Sequence, residues 1–315
     1  MRTMMKKLSS IIFTISLLLL LVSCVDTSNN DDFANEYRNY GNMLVLGLVN
    51  DTDLTEKGVV YLNAISDNLN VQFANLTDND SEFILKMFLD YKEIGFYMNG
   101  ELINHYIFPT KAGESLIFPI NIDSNIELNN SHLLTVAVMT APQKHAKTSD
   151  LMSNSYGVVL SYELAPKSGN REIVSSDTFD EPLDYLELNY QGLMLNSDFE
   201  KTDNTIVKFP SKNYVVKAGE KIELAYRAGN YDNAEDLLIV VLVNWQQQSI
   251  NGEDYIYIRN SPGYISYGTL KFAAPLEAGE YEVTAFVVDQ PFNLKDSDSF
   301  HMHDTAYRFT LTVQD

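Results

Sequence analysis

His301-Met302-His303-Asp304 is the segment of this chain best suited to metal chemistry. In an extended segment, residues two apart point to the same side, so His301 and His303 could share one ion with Asp304 or Asp298 nearby. A zinc site takes three or four protein ligands. The plainer reading is therefore a polar loop with solvated imidazoles, and no metal or other cofactor is assigned. Asp78-Asn79-Asp80-Ser81-Glu82 offers oxygen ligands for calcium, but it lacks the Gly and the distant Glu of an EF-hand loop and reads as an acidic turn. Trp245, at the end of an apolar run in Asn244-Trp245-Gln246-Gln247-Gln248, could stack on a sugar ring or pack at a core or edge. The chain contains no Gly-x-Ser-x-Gly elbow, His-Glu-x-x-His pair or Gly-rich phosphate loop. Neighbouring carboxylates are expected on the solvated face of a chain with 43 acidic residues, and they act as acid and base only where their surroundings separate their pKa values. No catalytic residue is assigned, and the chain reads as a non-enzyme.

Cys24 is the only cysteine. Ahead of it lie a basic start (Arg2, Lys6, Lys7), a largely apolar core from Ile11 to Val22 and the small residue Ser23, the layout of a cleaved secretory signal. That core is shorter than the roughly 20 residues of a membrane-spanning helix. Leu21-Val22-Ser23-Cys24 resembles the bacterial lipobox. The resemblance implies that residues 1–23 are removed and that Cys24 is diacylated on sulfur and becomes the mature N-terminus. It places the protein in the bacterial cell envelope, outside the cytoplasm and held to a membrane by lipid. The alternative for Cys24 is a buried free thiol. Each buried methylene contributes about 0.8 kcal/mol, so two acyl chains hold far more firmly than one. Removing the signal takes away three cations and no anion, so the mature chain is more acidic still than the −21 of the whole sequence. Such a charge opposes nucleic acid as a partner.

Residues 24–39 are polar, with almost nothing to bury, and read as a flexible tether. From Tyr40 onward, short apolar or alternating runs are separated by Asn, Asp, Gly and Pro, the texture of an all-β chain. A repeat with a period near 150 residues runs through it. Thr135-Val136-Ala137-Val138-Met139-Thr140-Ala141-Pro142 aligns without gaps on Thr284-Ala285-Phe286-Val287-Val288-Asp289-Gln290-Pro291. Upstream, Phe83 to Leu89 matches Leu237 to Val243, and Asn99-Gly100 matches Asn251-Gly252. Two tandem immunoglobulin-like β-sandwiches are expected, at residues 40–165 and 183–315, with about seven strands each. Residues 166–182 are the linker, about which bending is expected unless a large apolar interface prevents it. Ala278-Gly279-Glu280 leading into Tyr281-Glu282-Val283 resembles the Gly-Glu-Tyr start of a late strand in bacterial immunoglobulin-like modules, and Lys217-Ala218-Gly219-Glu220 resembles an early turn of the same kind. The Cys…Trp…Cys core of antibody domains is missing.

Two long loops follow the aligned prolines, Gln143 to Ser155 and Phe292 to Ala306, each well above the 2 to 5 residues typical of a hairpin. The second carries Phe292, Phe300, His301 and His303; the first carries Lys144, His145, Lys147 and Met152. Such loops either build a binding surface or fold back to cap their own sandwich. The expected function is a lipid-anchored, non-catalytic binding or assembly module whose partner is an envelope protein or a glycan. Phe292, Phe300, His301, His303 and Trp245 are the candidate contact residues. The alternatives are a surface glycan-binding lipoprotein, for which Trp245 with neighbouring tyrosines is the hint, and a metal-dependent hydrolase.

Overall fold

Strand-forming runs rich in Val, Ile, Leu and Phe produce strands and no helix among the described residues of the computed structural model. These are residues 42–50, 58–123, 128–146, 157–168, 171–173, 179–187, 190–197, 214–229, 231, 234–293 and 301–315. The signal segment, Cys24 and the tether lie outside them.

The first half contains β1 (Leu44–Asn50), β2 (Val59–Leu62), β3 (Leu69–Asn75), β4 (Ser81–Leu89), β5 (Lys92–Glu93), β6 (Phe96–Met98), β7 (Glu101–Ile103), β8 (Tyr106–Thr110), β9 (Glu114–Ile122), β10 (His132–Thr140) and β11 (Gly157–Pro166). They form two sheets, β1-β3-β9-β6-β7 and β2-β11-β10-β4-β5, with β8 also on β4. The second half contains β12 (Asp184–Leu186), β13 (Gly192–Asn196), β14 (Tyr214–Lys217), β15 (Lys221–Gly229), β16 (Asp236–Val243), β17 (Gln246–Gln247), β18 (Ile256–Arg259), β19 (Ile265–Ala273), β20 (Gly279–Asp289), β21 (His301–Met302), β22 (Asp304–Thr305) and β23 (Phe309–Gln314). Its sheets are β12-β19-β15-β13 and β14-β23-β20-β16-β17. Each half is thus a two-layer sandwich with, among the described strands, one parallel strand pair, β2 on β11 and β14 on β23.

The repeat is visible in the pairing register. Leu134 of β10 faces Leu89 of β4 and Thr140 faces Phe83; Val283 of β20 faces Val243 of β16 and Asp289 faces Leu237. Alternate residues of these strands fill the two sandwich cores: Leu85, Met87, Val136 and Val138 in the first, Ile239, Val241, Ala285 and Val287 in the second. Asn99-Gly100 and Asn251-Gly252 take positive φ, the two-residue hairpin conformation their chemistry favours.

The other set of alternate residues is buried as well. Ile84 and Phe88 of β4, Leu133, Ala137 and Met139 of β10, and Val159 of β11 pack against Leu238, Val240 and Leu242 of β16 and Phe286 and Val288 of β20. Phe88 and Phe286 meet edge to face at 5.3 Å. The sandwiches therefore join face to face along an apolar seam, in which each fully buried Leu, Val or Phe contributes roughly 1.5–3 kcal/mol.

The linker contributes to this seam, an apolar interface of the kind that opposes inter-domain bending. Ile173 and Phe179 join the seam cluster, and Phe179 stacks on Tyr257 at 4.3 Å. Ser131 bridges to Ile173 and Asp180 to Ile258. Arg171 donates to buried Glu163 at 2.7 Å. A hinge at this point would have to break an apolar contact that spans two sheets.

Candidate functional site

Two-residue turns leave β4 and β16 at equivalent positions, Asp90-Tyr91 and Asn244-Trp245, all four residues with φ between 48° and 67°. Asp and Asn tolerate that region. For Tyr and Trp it costs on the order of 1–3 kcal/mol each, and contacts across the seam offset the cost. Trp245 donates its Nε1 to the Pro142 carbonyl of the other sandwich at 3.1 Å. Tyr91 donates its hydroxyl to the Pro291 carbonyl. The two aligned prolines thus receive equivalent bonds from opposite sides, giving the seam a pseudo-two-fold relation.

Around each bond, the long loop of one sandwich is held by the last strand of the other. Arg308, just ahead of β23, donates to the carbonyls of Thr140, Ala141 and Lys144 at 2.6, 3.2 and 2.5 Å. Its guanidinium lies 5.0 Å over the Trp245 ring. Burial pulls Arg308 below its ordinary value, and Glu282 opposes the shift. The Glu282 carboxylate accepts from Arg308 Nε at 3.0 Å, Thr310 Oγ1 at 2.6 Å and the Ala146 backbone N–H at 3.1 Å, and lies 3.1 Å from His145 Nδ1. On the opposite side, β21 pairs with Leu160 and Ser161 of β11. The His303 backbone N–H donates to the Val159 carbonyl at 2.9 Å. His303 Nε2 lies 2.7 Å from Ser161 Oγ, which lies 2.7 Å from Thr135 Oγ1.

A third polar contact sits where β5 meets β17. The Glu93 backbone N–H donates to Gln247 Oε1 at 2.6 Å, and the Gln247 N–H donates to Glu93 Oε2 at 2.7 Å. Buried Lys86 joins them, donating to Glu93 and to the Trp245 carbonyl. Desolvation lowers the Lys86 pKa, and the Glu93 carboxylate opposes the shift.

The candidate contact residues belong largely to this junction. Trp245 is 6% exposed and lies under Arg308, so it presents no platform for a sugar ring. Phe292 is half-buried and meets Tyr91 at 5.7 Å and Tyr257 at 5.2 Å, both edge to face. His303 is 4% exposed. His301 is described only by its strand pairing, and Phe300 lies outside the described residues. The described parts of each loop reach over the sister sandwich, and the second also caps its own: Asp304 and Thr305 pair with β20, and Ala306 joins the core of the second sandwich. Ser161 and His303 have the separation of a nucleophile and its base, but Ser161 is 2% exposed and closed to substrate. Among the described residues, no three His, Cys, Asp or Glu side chains gather into a metal-binding group.

The Asp78-to-Glu82 segment lies elsewhere, on the rim of a cleft of about 1310 Å³ at the loop end of the first sandwich. Its walls are the 77–83 segment, residues 109–111 with Glu114, and Thr140, Ala141, Gln143 and Lys144, with Asn42 to Leu44 at the lip. Asn42 Nδ2 donates to Asp78 at 2.7 Å, and the Ala112 N–H donates to Asp80 at 2.9 Å. Buried Asn75 holds the carbonyls of Asn79 and Lys111 at 2.9 and 3.2 Å. Tyr91, Ser161, Glu282 and Arg308 carry no motif. The available signal for them was the unbroken apolar run Leu237 to Val243, which marks a strand buried on both faces.

No protein-family model matches this sequence, and no curated protein matches it. Among solved structures, the chain is similar to the E. coli chaperone DraB, at 10% identity and TM-score 0.29 over 87% of this chain and 97% of that one. It is also similar to the CARDB domain of the PF1109 protein from Pyrococcus furiosus, crystallised with di-metal ions, at 16% identity and TM-score 0.25 over 45% and 100%. A FixG-related protein from Vibrio parahaemolyticus matches at 11% identity and TM-score 0.27 over 40% and 97%. All three TM-scores lie below 0.5, and the sandwich architecture stands on the strand pairing itself.

Proposed function

We propose that this chain is a lipid-anchored lipoprotein of the bacterial cell envelope, held through Cys24, whose two fused sandwiches act as a non-catalytic binding or assembly module outside the cytoplasm. The observation that carries this reading is the contrast between seam and cleft. Trp245, His303, Arg308 and Glu282 hold the two halves together, while among the described residues a cleft lies between Asn42 and Lys144 at one end of a unit stiffened by that seam. Long-loop ends of sandwiches are where binding surfaces are commonly built, and a stiff scaffold lowers the ordering cost of binding. The glycan alternative loses its support with the burial of Trp245, and an envelope protein is the favoured partner.

The test is site-specific photocrosslinking in cells of the full chain, with the reactive group at Gln143 on the cleft or at Leu102 on the far sheet edge. A discrete adduct from position 143 that is missing from position 102 is expected. Equal labelling from both positions, or none from either, would remove the cleft as the binding surface.

A further inference from the structure

We infer that the cleft of the first sandwich takes an extended peptide segment that inserts a lysine or arginine side chain; the inference rests on the binding-module reading. Three observations converge on that ligand. The first is size: about 1310 Å³ exceeds the roughly 300–1,000 Å³ of small-molecule sites and suits several residues of chain. The second is charge. Asp78, Asp80, Glu82 and Glu114 line the cleft against Lys111 and Lys144, an anionic excess that low-dielectric walls focus on an entering cation. Asp78, Asp80 and Glu114 each also accept a bond that fixes the surrounding loops, from Asn42, Ala112 and Lys111 respectively. The third is an unmet acceptor. Thr110 lines the cleft, is 2% exposed, and its Oγ1 has no hydrogen-bond partner among the described residues.

A buried hydroxyl without a partner is costly. An ammonium or guanidinium carries the N–H donors such an oxygen lacks, on a stem long enough to pass the carboxylates. Met43, Phe83 and Pro109 supply apolar wall along which that stem can lie. The chain's own segment 25–41 is a poor occupant, since it carries Asp26, Asp31, Asp32 and Glu36 against one cation, Arg38.

The experiment is calorimetric titration of the intact ectodomain with the peptide acetyl-Leu-Lys-Leu-Arg-Leu-amide, with an analogue bearing Glu at both basic positions, and with calcium chloride alone. Binding of the basic peptide and not the acidic one is expected. Asp78→Asn with Glu82→Gln should weaken it at least tenfold, whereas Glu101→Gln with Glu277→Gln, equal in charge but outside the cleft, should change it less than twofold. Thr110→Val should weaken binding while leaving Tm unchanged or higher, an outcome that damage to the fold would not give. Equal loss in the two charge pairs would show a diffuse effect of net charge and overturn the inference. Calcium binding that the cleft pair abolishes, with no peptide binding, would overturn it in favour of a cation site. A position-143 crosslink together with no basic-peptide binding would leave the module reading standing and remove only this ligand class.

Discussion

The indole of Trp245 and the carbonyl of Pro142 meet at 3.1 Å across a sequence separation of 103 residues, and Trp245 reaches that carbonyl from a backbone with φ of 67°. A bulky residue keeps such a conformation only where its surroundings over-determine it. Here they are the seam, Arg308 above the ring, and an equivalent Tyr91 contact on the other side. Trp245→Phe keeps most of the ring and loses the donor, so it should cost about 1 kcal/mol. Trp245→Ala should cost roughly 3–5 kcal/mol. Urea unfolding followed by far-ultraviolet circular dichroism measures both.

Because the seam is buried from both sides, the wild-type ectodomain should unfold in one transition. Fluorescence of Trp245, the only tryptophan, reports the seam, and circular dichroism reports both sandwiches. Coincident curves are expected. A separate early fluorescence transition would show that the halves part before they unfold.

Arg308 and Glu282 form a pair with side chains 3% and 2% exposed. Arg308→Met leaves buried Glu282 without its arginine partner and should cost about 3–5 kcal/mol. Arg308→Met combined with Glu282→Leu should cost less than the sum of the two single changes, since removing both charges relieves the desolvation each suffers. A double-mutant cycle in urea checks the sign.

Residues 183–315 taken alone would expose Leu238, Val240, Leu242, Phe286 and Val288, all buried in the intact chain. That fragment should self-associate in sedimentation equilibrium, since a contiguous apolar face of this kind seeks cover. Leu238→Lys with Phe286→Lys should return it to a monomer.

Burial raises Tyr190 to about 12 and pushes Tyr91, Tyr226, Tyr231 and Tyr257 up as well. Each phenol binds its proton more tightly folded than unfolded. Their contribution is therefore full below pH 10 and lost as pH rises from 10 through the folded values. Phenolate absorbance at 295 nm should show these groups ionising together with unfolding, and stability should fall steadily above pH 10.

Cys24→Ser should abolish labelling by a palmitate analogue and leave unprocessed precursor, because no other thiol exists in the chain. Labelling that persists in this variant would overturn the lipid assignment.

All-β texture, the paired prolines and the Asn-Gly turns are legible because they are local: alternation, turn chemistry and repetition need no knowledge of the rest of the molecule. The role of the outward face was written more faintly. Leu237 to Val243 is apolar at every position, as a strand covered on both sides must be, while Lys86 interrupts the equivalent run in the first half. The Tyr91 and Trp245 turns were not legible, since neither residue favours positive φ. His303 and Phe292 were singled out for their chemistry, and only their burial shows what they touch.

By itself the sequence determined the strands, their duplication, the acidic charge and the signal-like segment ending in Cys24, because periodicity, composition and short motifs act within a few residues. Tertiary structure alone decided that the two sandwiches close on each other and that each long loop reaches over its sister. It also brought the acidic turn, Lys111 and Lys144 around one cleft. Those outcomes depend on pairs such as Lys86 with Trp245 and Tyr91 with Pro291, 159 and 200 residues apart, which meet only after chain topology and burial have selected one packing among many.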